Sequence, residues 1–334
     1  MLRPTEFDFE FEDIPAKAVI VGRWQGEGQA AEEAQVPTAV EVAKSRGLPV
    51  LELVRHKRGA GLFQLRSVCN PLPPSPCAPR PAGAEEVALV LHTSGTTRRP
   101  KLVPLTHENL RSGASMIAAT LELVPSDVCV NIMPLFHIHG LAVNVLATVR
   151  AGASVICTPG PSAPAFFDLL VKDPVPTWYS AVPTMHQAIL THGEKLLLSG
   201  SGLGEGEGQP RIPHRLHTIR NCSAALLPAV SERLELLFTG VQVLPTYAMT
   251  ECMPICSNPR SGPRKLASVG PAAGPMVKVL RNPPEDCEEC AVGEEGQVCV
   301  KGPCTTAGYE FRASHMSSDR VHITKDMPTY RCLH

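Results

Sequence analysis

An α/β fold is predicted for this 334-residue chain by two features of its apolar residues. Short runs rich in Val, Ile and Leu recur along it, and segments with helical apolar spacing lie between several of them. The first unit of the pattern is a strand over residues 18–21, a helix over 30–46 and a second strand over 50–53. Further strands are expected over 87–91, 128–133, 153–157, 216–220, 241–244, 277–280 and 297–301. One helix should begin at Thr106, a capping residue with Asn109 behind it. Another should begin at Pro228, which suits a first helical turn. Polar or Pro/Gly-rich stretches over 70–83, 200–210 and 282–289 read as surface loops or insertions. No internal period suggests a solenoid.

Composition narrows the class. With 43% hydrophobic residues and a formal charge of -1, the chain can bury a large core. Its 31 basic and 32 acidic residues nearly cancel, and aromatic residues make up only 4%. Nucleic acid is therefore not an expected partner. The acidic start, MLRPTEFDFEFED, lacks the basic opening and apolar run of a secretory signal, and no apolar stretch is long enough to span a bilayer. Twelve cysteines without a dense framework fit a reducing, cytoplasmic location. Cys287 and Cys290 form a lone C-x-x-C pair, two ligands short of a zinc site.

The segment LHTSGTTRRPKLVPLTHENL, from Leu91, carries the most chemistry. Thr93, Ser94, Thr96 and Thr97 surround Gly95, and Lys101 follows a proline. Gly95 permits a tight turn that presents N–H groups to an anion, the hydroxyls donate, and Lys101 adds a point charge. Such a loop suits a polyphosphate. It is not a Walker A loop, because Pro100 and Leu102 stand where that motif needs glycine and a hydroxyl. On composition alone, a Ser/Thr-rich turn is an equal reading.

Downstream, MPLFHIHGLA places His137 and His139 two residues apart at a strand end. Two imidazoles on one side of an extended segment could begin a metal site, although no third ligand lies nearby; a core histidine is the other reading. In IRNCSAALLPAV, small side chains at Ser223, Ala224 and Ala225 would let a flat ring approach the backbone, or form a tightly packed turn. TYAMTE, Thr246 to Glu251, sets an aromatic ring, a hydroxyl and a carboxylate within six residues. Those groups could stack on a base, reach a phosphate and hold Mg²⁺. Thr and Glu after a strand also commonly start helices.

Taken in order, these motifs resemble the acyl-adenylate-forming superfamily, the AMP-dependent synthetases and ligases. PLFHIHG, TWYSAVPTMHQ, CSAALLPAV, YAMTE with its following SNP, and GQVCVKGP are closest in wording to the oxalate–CoA ligases, or peroxisomal-type CoA synthetases. The resemblance runs from about residue 16 to 309. It implies layered mixed sheets with flanking helices and a β-rich end segment, with residues 1–310 as a partial AMP-binding domain and 311–334 as an irregular tail. It also implies that ATP activates a small, oxalate-like carboxylate to acyl-AMP, which coenzyme A then captures. A medium-chain or aromatic acid is an alternative substrate, and a non-catalytic nucleotide-binding remnant is an alternative role.

By the same resemblance, Thr93 to Thr97 and Lys101 cradle the phosphates. Ser223, Ala224, Ala225 and the run Thr246, Tyr247, Ala248, Met249 and Thr250 hold the nucleotide, with Tyr247 on adenine and Thr250 at the α-phosphate. Thr96 and Glu251 would bind Mg²⁺. His137 would position the carboxylate, while His139 and Ser223 face the acid. The sequence departs from the superfamily at Arg98 and Leu102, where glycine is common, and from the oxalate group where Cys252, Met253 and Pro254 replace a histidine-bearing run. The superfamily's TGD motif, hinge and lysine-bearing C-terminal domain have no counterpart after Tyr309, nor its first strands before Glu6. A fragment without the C-terminal lid is therefore expected, and a peroxisomal address could lie beyond it.

Overall fold

The Val/Ile/Leu runs form strands, and most of the spaced apolar segments form helices, in a computed structural model that describes residues 3–22, 38–56, 62–72, 80–93, 101–200, 211–282, 286–309 and 329–331. The chain divides into two units, Met1–Pro81 and Ala82–His334. The first unit contains α1 (Pro4–Asp13), β1 (Val19–Gly22), α2 (Thr38–Ser45), β2 (Val50–Arg55) and β3 (Phe63–Cys69). β1 runs parallel to β2, with Val19 opposite Val50, and β3 pairs antiparallel to β2. Val40, Ala43 and Val50 form its small core. Of the helix expected over 30–46, residues 30–37 lie outside the described residues.

The second unit opens with the hairpin β4 (Val87–Thr93) and β5 (Lys101–Thr106), followed by α3 (His107–Thr120) and β6 (Val128–Asn131). A wide π-type helical segment, His139–Leu146, continues into α4 (Ala147–Arg150). Next come β7 (Ser154–Cys157), α5 (Ala163–Leu169), β8 (Trp178–Ala181), α6 (Pro183–Ser199), β9 (Thr218–Asn221), α7 (Pro228–Leu237) and β10 (Gln242–Tyr247). The end is β-rich: β11 (Cys256–Ser257), β12 (Met276–Asn282), β13 (Asp286–Glu289), β14 (Gln297–Lys301) and β15 (Thr329–Arg331).

Six strands form the central sheet in the order β11-β10-β9-β8-β6-β7. All are parallel except the β11 edge. Every residue of β6, β8 and β9 is buried, as expected of parallel strands covered on both faces. Tyr179, Ile219 and Val243 face a core shared with α5, α6 and α7, while Trp178, Cys129 and Leu244 face one shared with α3 and the π-type segment.

Both predicted helix starts are present. Thr106 and Asn109 form a reciprocal capping box on α3, and Pro228 opens α7. α6 ends on Gly200 at φ 67°, a left-handed C-cap. Two expectations need correction. The stretch 282–289 is not all loop, because Asp286–Glu289 pairs antiparallel with β12; its polar sequence carries no apolar alternation to reveal a strand. Within the segment expected to be an irregular tail, Thr329–Arg331 pairs antiparallel with β14, and residues 311–328 lie outside the described residues. Among the described residues no helix is long and apolar enough to cross a membrane.

Asp127, 4% exposed, closes the N-terminal side of the sheet. It accepts from Val124 N–H at 2.9 Å, Thr177 Oγ1 at 2.8 Å and His217 Nε2 at 2.7 Å. Burial pushes its carboxyl up, but the hydrogen bonds from Val124, His217 and Thr177 outweigh burial and hold it below the usual aspartate value. A depressed carboxylate stabilises the fold above its unfolded pKa, and that contribution is lost as pH falls through the folded value. Asp127→Asn should therefore cost about 2 kcal/mol near neutral pH. Melting curves from pH 7 down to pH 3 should show the gap to the wild type narrowing with acidity.

Candidate active site

In an open parallel sheet, ligands bind outside the carboxyl ends of the strands. The candidate residues fall there. His137 and His139 follow β6, Ser223, Ala224 and Ala225 follow β9, and Ala248 to Glu251 follow β10. Asn221 Nδ2 donates to Ala224 O at 2.9 Å, and Thr246 Oγ1 donates to Asn221 O at 2.7 Å. These bonds tie the two loops together beneath exposed Ser223, Ala224 and Ala225.

Thr246 is buried, and Tyr247, Ala248, Met249 and Thr250 are half-buried. Tyr247 Oη donates to Met249 Sδ at 3.4 Å. Met249 and Cys252 exchange backbone hydrogen bonds of 3.0 and 3.3 Å. The chain after β10 is therefore a tight turn, and the helix that Thr and Glu could have started does not form there. Glu251, only 5% exposed, sits within it.

Tyr309 joins this turn to the phosphate-loop hairpin. Its Oη donates to Glu251 Oε1 at 2.7 Å, and Lys101 Nζ lies 4.8 Å from the centre of its ring. Burial, then the hydrogen bond and charge of Glu251, push the Tyr309 phenol well above its ordinary range, so it stays protonated. The segment is fixed from both sides. Thr306 N–H donates to Glu251 O at 2.8 Å, Thr306 Oγ1 to Pro104 O at 2.6 Å, and Asn109 Nδ2 to Pro303 O and Thr305 O at 2.8 and 2.9 Å. Thr93 and Lys101 are register partners at the mouth of the hairpin. Ser94, Gly95, Thr96 and Thr97 lie outside the described residues.

Gly113 of α3 packs against the same turn. A Cβ there would stand 2.4 Å from Met253 O, and a backbone carbonyl cannot yield as a side chain can. Gly113→Ala should cost about 1–3 kcal/mol and displace the turn that carries Glu251. A lowered melting temperature together with weaker Mg-ATP uptake would register both effects.

His137 and His139 do not lie on one side of an extended strand, as the sequence suggested. Gly140 approaches so closely that a Cβ would stand 2.3 Å from Pro134 O, and the chain folds back there into the π-type segment. His137 is exposed, and its Nδ1 accepts from His139 N–H at 3.1 Å. His139 is 2% exposed. Burial, with Arg220 and the imidazoles of His137 and His186 nearby, holds His139 well below the usual histidine pKa, so it is neutral at pH 7. Its Nε2 lies 2.6 Å from Ser180 Oγ and its Nδ1 3.5 Å from Ser223 Oγ. Among the described residues no three His, Cys, Asp or Glu side chains group as a metal site. The residues present fit Mg²⁺ nonetheless, because that ion is commonly held by one or two carboxylates and substrate phosphates rather than by a protein cage, and Glu251 would supply such a carboxylate.

Three residues that contact the candidate residues directly or through one another, Tyr309, Ser180 and Arg220, are not among those the sequence singles out. Only a charged residue within the strand predicted over 216–220 could have marked Arg220.

With this geometry in place, the family is settled: the chain belongs to the AMP-binding enzymes, whose family model matches residues 1–310. It is 40% identical to the oxalate–CoA ligase of Arabidopsis thaliana over 68% of its length and 36% identical to that of Saccharomyces cerevisiae over 73%. The chain spans only 42% and 41% of those proteins. Among solved structures, ATP-bound MatB from Rhodopseudomonas palustris is similar, with a TM-score of 0.69 and 27% identity over 94% of this chain and 56% of that one.

Proposed function

We propose that this chain forms the nucleotide- and acid-binding part of an enzyme that activates a small, oxalate-like carboxylic acid with ATP. One carboxylate oxygen attacks the α-phosphorus, the bond to the bridging oxygen breaks, and pyrophosphate leaves. The acyl-AMP then passes its acyl group to the thiol of coenzyme A, releasing AMP. Such chemistry depends mainly on positioning and on offsetting charge.

Tyr309 supports this reading most, since it ties Lys101 and Glu251 to one ring. Lys101 and the Thr93–Thr97 loop would hold the departing phosphates, Glu251 and Thr96 would hold Mg²⁺, Tyr247 would stack on adenine, and Thr250 would meet the α-phosphate. Bound Mg²⁺ offsets phosphate charge. His137 would position the carboxylate, and the small side chains at 223–225 leave room for the base. Neutral His139 and buried Arg220 behind Ser223 favour a small polar acid over an apolar chain. We place the activity in the cytoplasm or peroxisome.

Pyrophosphate exchange by the purified chain tests the proposal, with oxalate, octanoate and benzoate compared under ATP and Mg²⁺. Mg²⁺-dependent exchange highest with oxalate is expected. Exchange highest with octanoate or benzoate would overturn the substrate, and exchange with none would leave a non-catalytic nucleotide-binding protein.

A further inference from the structure

A line of polar side chains runs from the buried interior of the central sheet to an exposed hydroxyl at the acid-binding end. Arg220 is 1% exposed and lies opposite Ser180 in the β8–β9 register. Its Nη1 donates to Ser180 Oγ at 3.4 Å, and its Nη2 has no hydrogen-bond partner among the described residues. Ser180 Oγ meets His139 Nε2 at 2.6 Å, and His139 Nδ1 faces Ser223 Oγ at 3.5 Å. Ser223 is exposed and held at φ 73°, a left-handed conformation that a non-glycine residue keeps only where its surroundings impose it.

The chemistry of the groups gives this line a direction. A guanidinium has donors only, so Ser180 accepts from Arg220. Ser180 is fully buried, and its own O–H has no acceptor among the described residues other than His139 Nε2. Nε2 must then be the unprotonated nitrogen. Since His139 is neutral, its proton sits on Nδ1 and points at Ser223 Oγ, which accepts. The Ser223 O–H is thereby left to donate outward, to an acceptor such as a carboxylate. The two outer contacts, at 3.4 and 3.5 Å, are weaker than the 2.6 Å bond between Ser180 and His139.

We propose that Arg220 is a positioning residue: through Ser180 and His139 it fixes the direction of this hydrogen-bond chain, so that Ser223 is presented to the acid as a donor. The inference rests on reading the site as one that binds a carboxylate. No acidic side chain among the described residues pairs with Arg220.

Ring-¹⁵N histidine NMR of the chain tests the proposal, with the His139 signals assigned from a His139→Gln variant. In the wild type, His139 should be neutral at pH 7 with the proton on Nδ1. Ser180→Ala, a small change, should abolish that tautomer preference and raise the KM for the acid about tenfold or more, with ATP affinity unchanged. Arg220→Met should do the same, and Arg220→Lys should restore part of the preference. If Arg220→Met does not fold, Ser180→Ala and Arg220→Lys carry the test. A proton on Nε2 in the wild type, or an unchanged tautomer in Ser180→Ala, would overturn the proposal. The tautomer is read without substrate. A chain with the expected tautomer that activates no acid therefore refutes the function rather than the hydrogen-bond direction.

Discussion

Glu251→Gln is expected to reduce Mg²⁺-dependent pyrophosphate exchange by about 100- to 1,000-fold, the cost of removing one well-placed electrostatic contact. The substitution keeps the side-chain volume and leaves an amide oxygen to accept from Tyr309 Oη, so the 2.7 Å contact and the turn around it should survive. What disappears is the negative charge. Glu251 is 5% exposed, and under the proposed reading its charge is the one the protein would offer to the metal. ATP uptake measured without Mg²⁺ should change little, and the melting temperature should stay close to that of the wild type. Exchange at the wild-type rate would remove Glu251 from the site.

Phe166→Ala is expected to be the most destabilising single truncation considered, at about 4 kcal/mol. Phe166, 1% exposed, stands at the centre of an aromatic cluster. Its ring lies 4.9 Å from Tyr179, 5.7 Å from Phe167 and 6.4 Å from Phe238, each close to edge-on. Truncation would therefore empty a space bounded by rigid rings that cannot collapse into it, and three favourable ring contacts would go with it. The melting temperature should fall by on the order of 10 °C. Much of a typical domain's marginal stability would be lost. Because this cluster lies on the sheet face away from His139, Mg-ATP affinity of the folded fraction should be unchanged.

The two halves of the site were legible in the sequence to different degrees. TYAMTE could be read because its aromatic, hydroxyl and carboxylate groups are contiguous and follow a clear apolar strand. The cap at Thr106 and the start at Pro228 were legible for the same local reason. Tyr309 acts on Glu251 across 58 residues, a distance no periodicity spans. Ser180 and Arg220 meet only through the β8–β9 register, which a single sequence does not display. The extended geometry that the spacing of the histidine pair suggests does not form, because Gly140 approaches Pro134 O closely and the chain turns helical there, while the core-histidine alternative agrees with buried His139. Asp286–Glu289 carries no apolar alternation in its sequence, so nothing in the pattern marks it as a strand.

A double-mutant cycle in Mg-ATP affinity most directly tests whether Lys101 and Glu251 grip one triphosphate. Calorimetric titration of the wild type, Lys101→Met, Glu251→Gln and the double variant would supply its four corners. Saturable uptake at one site per chain is expected in the wild type, with losses in the two single variants that fail to add by about 1 kcal/mol. No heat from the wild type, or strictly additive losses, would contradict a shared site.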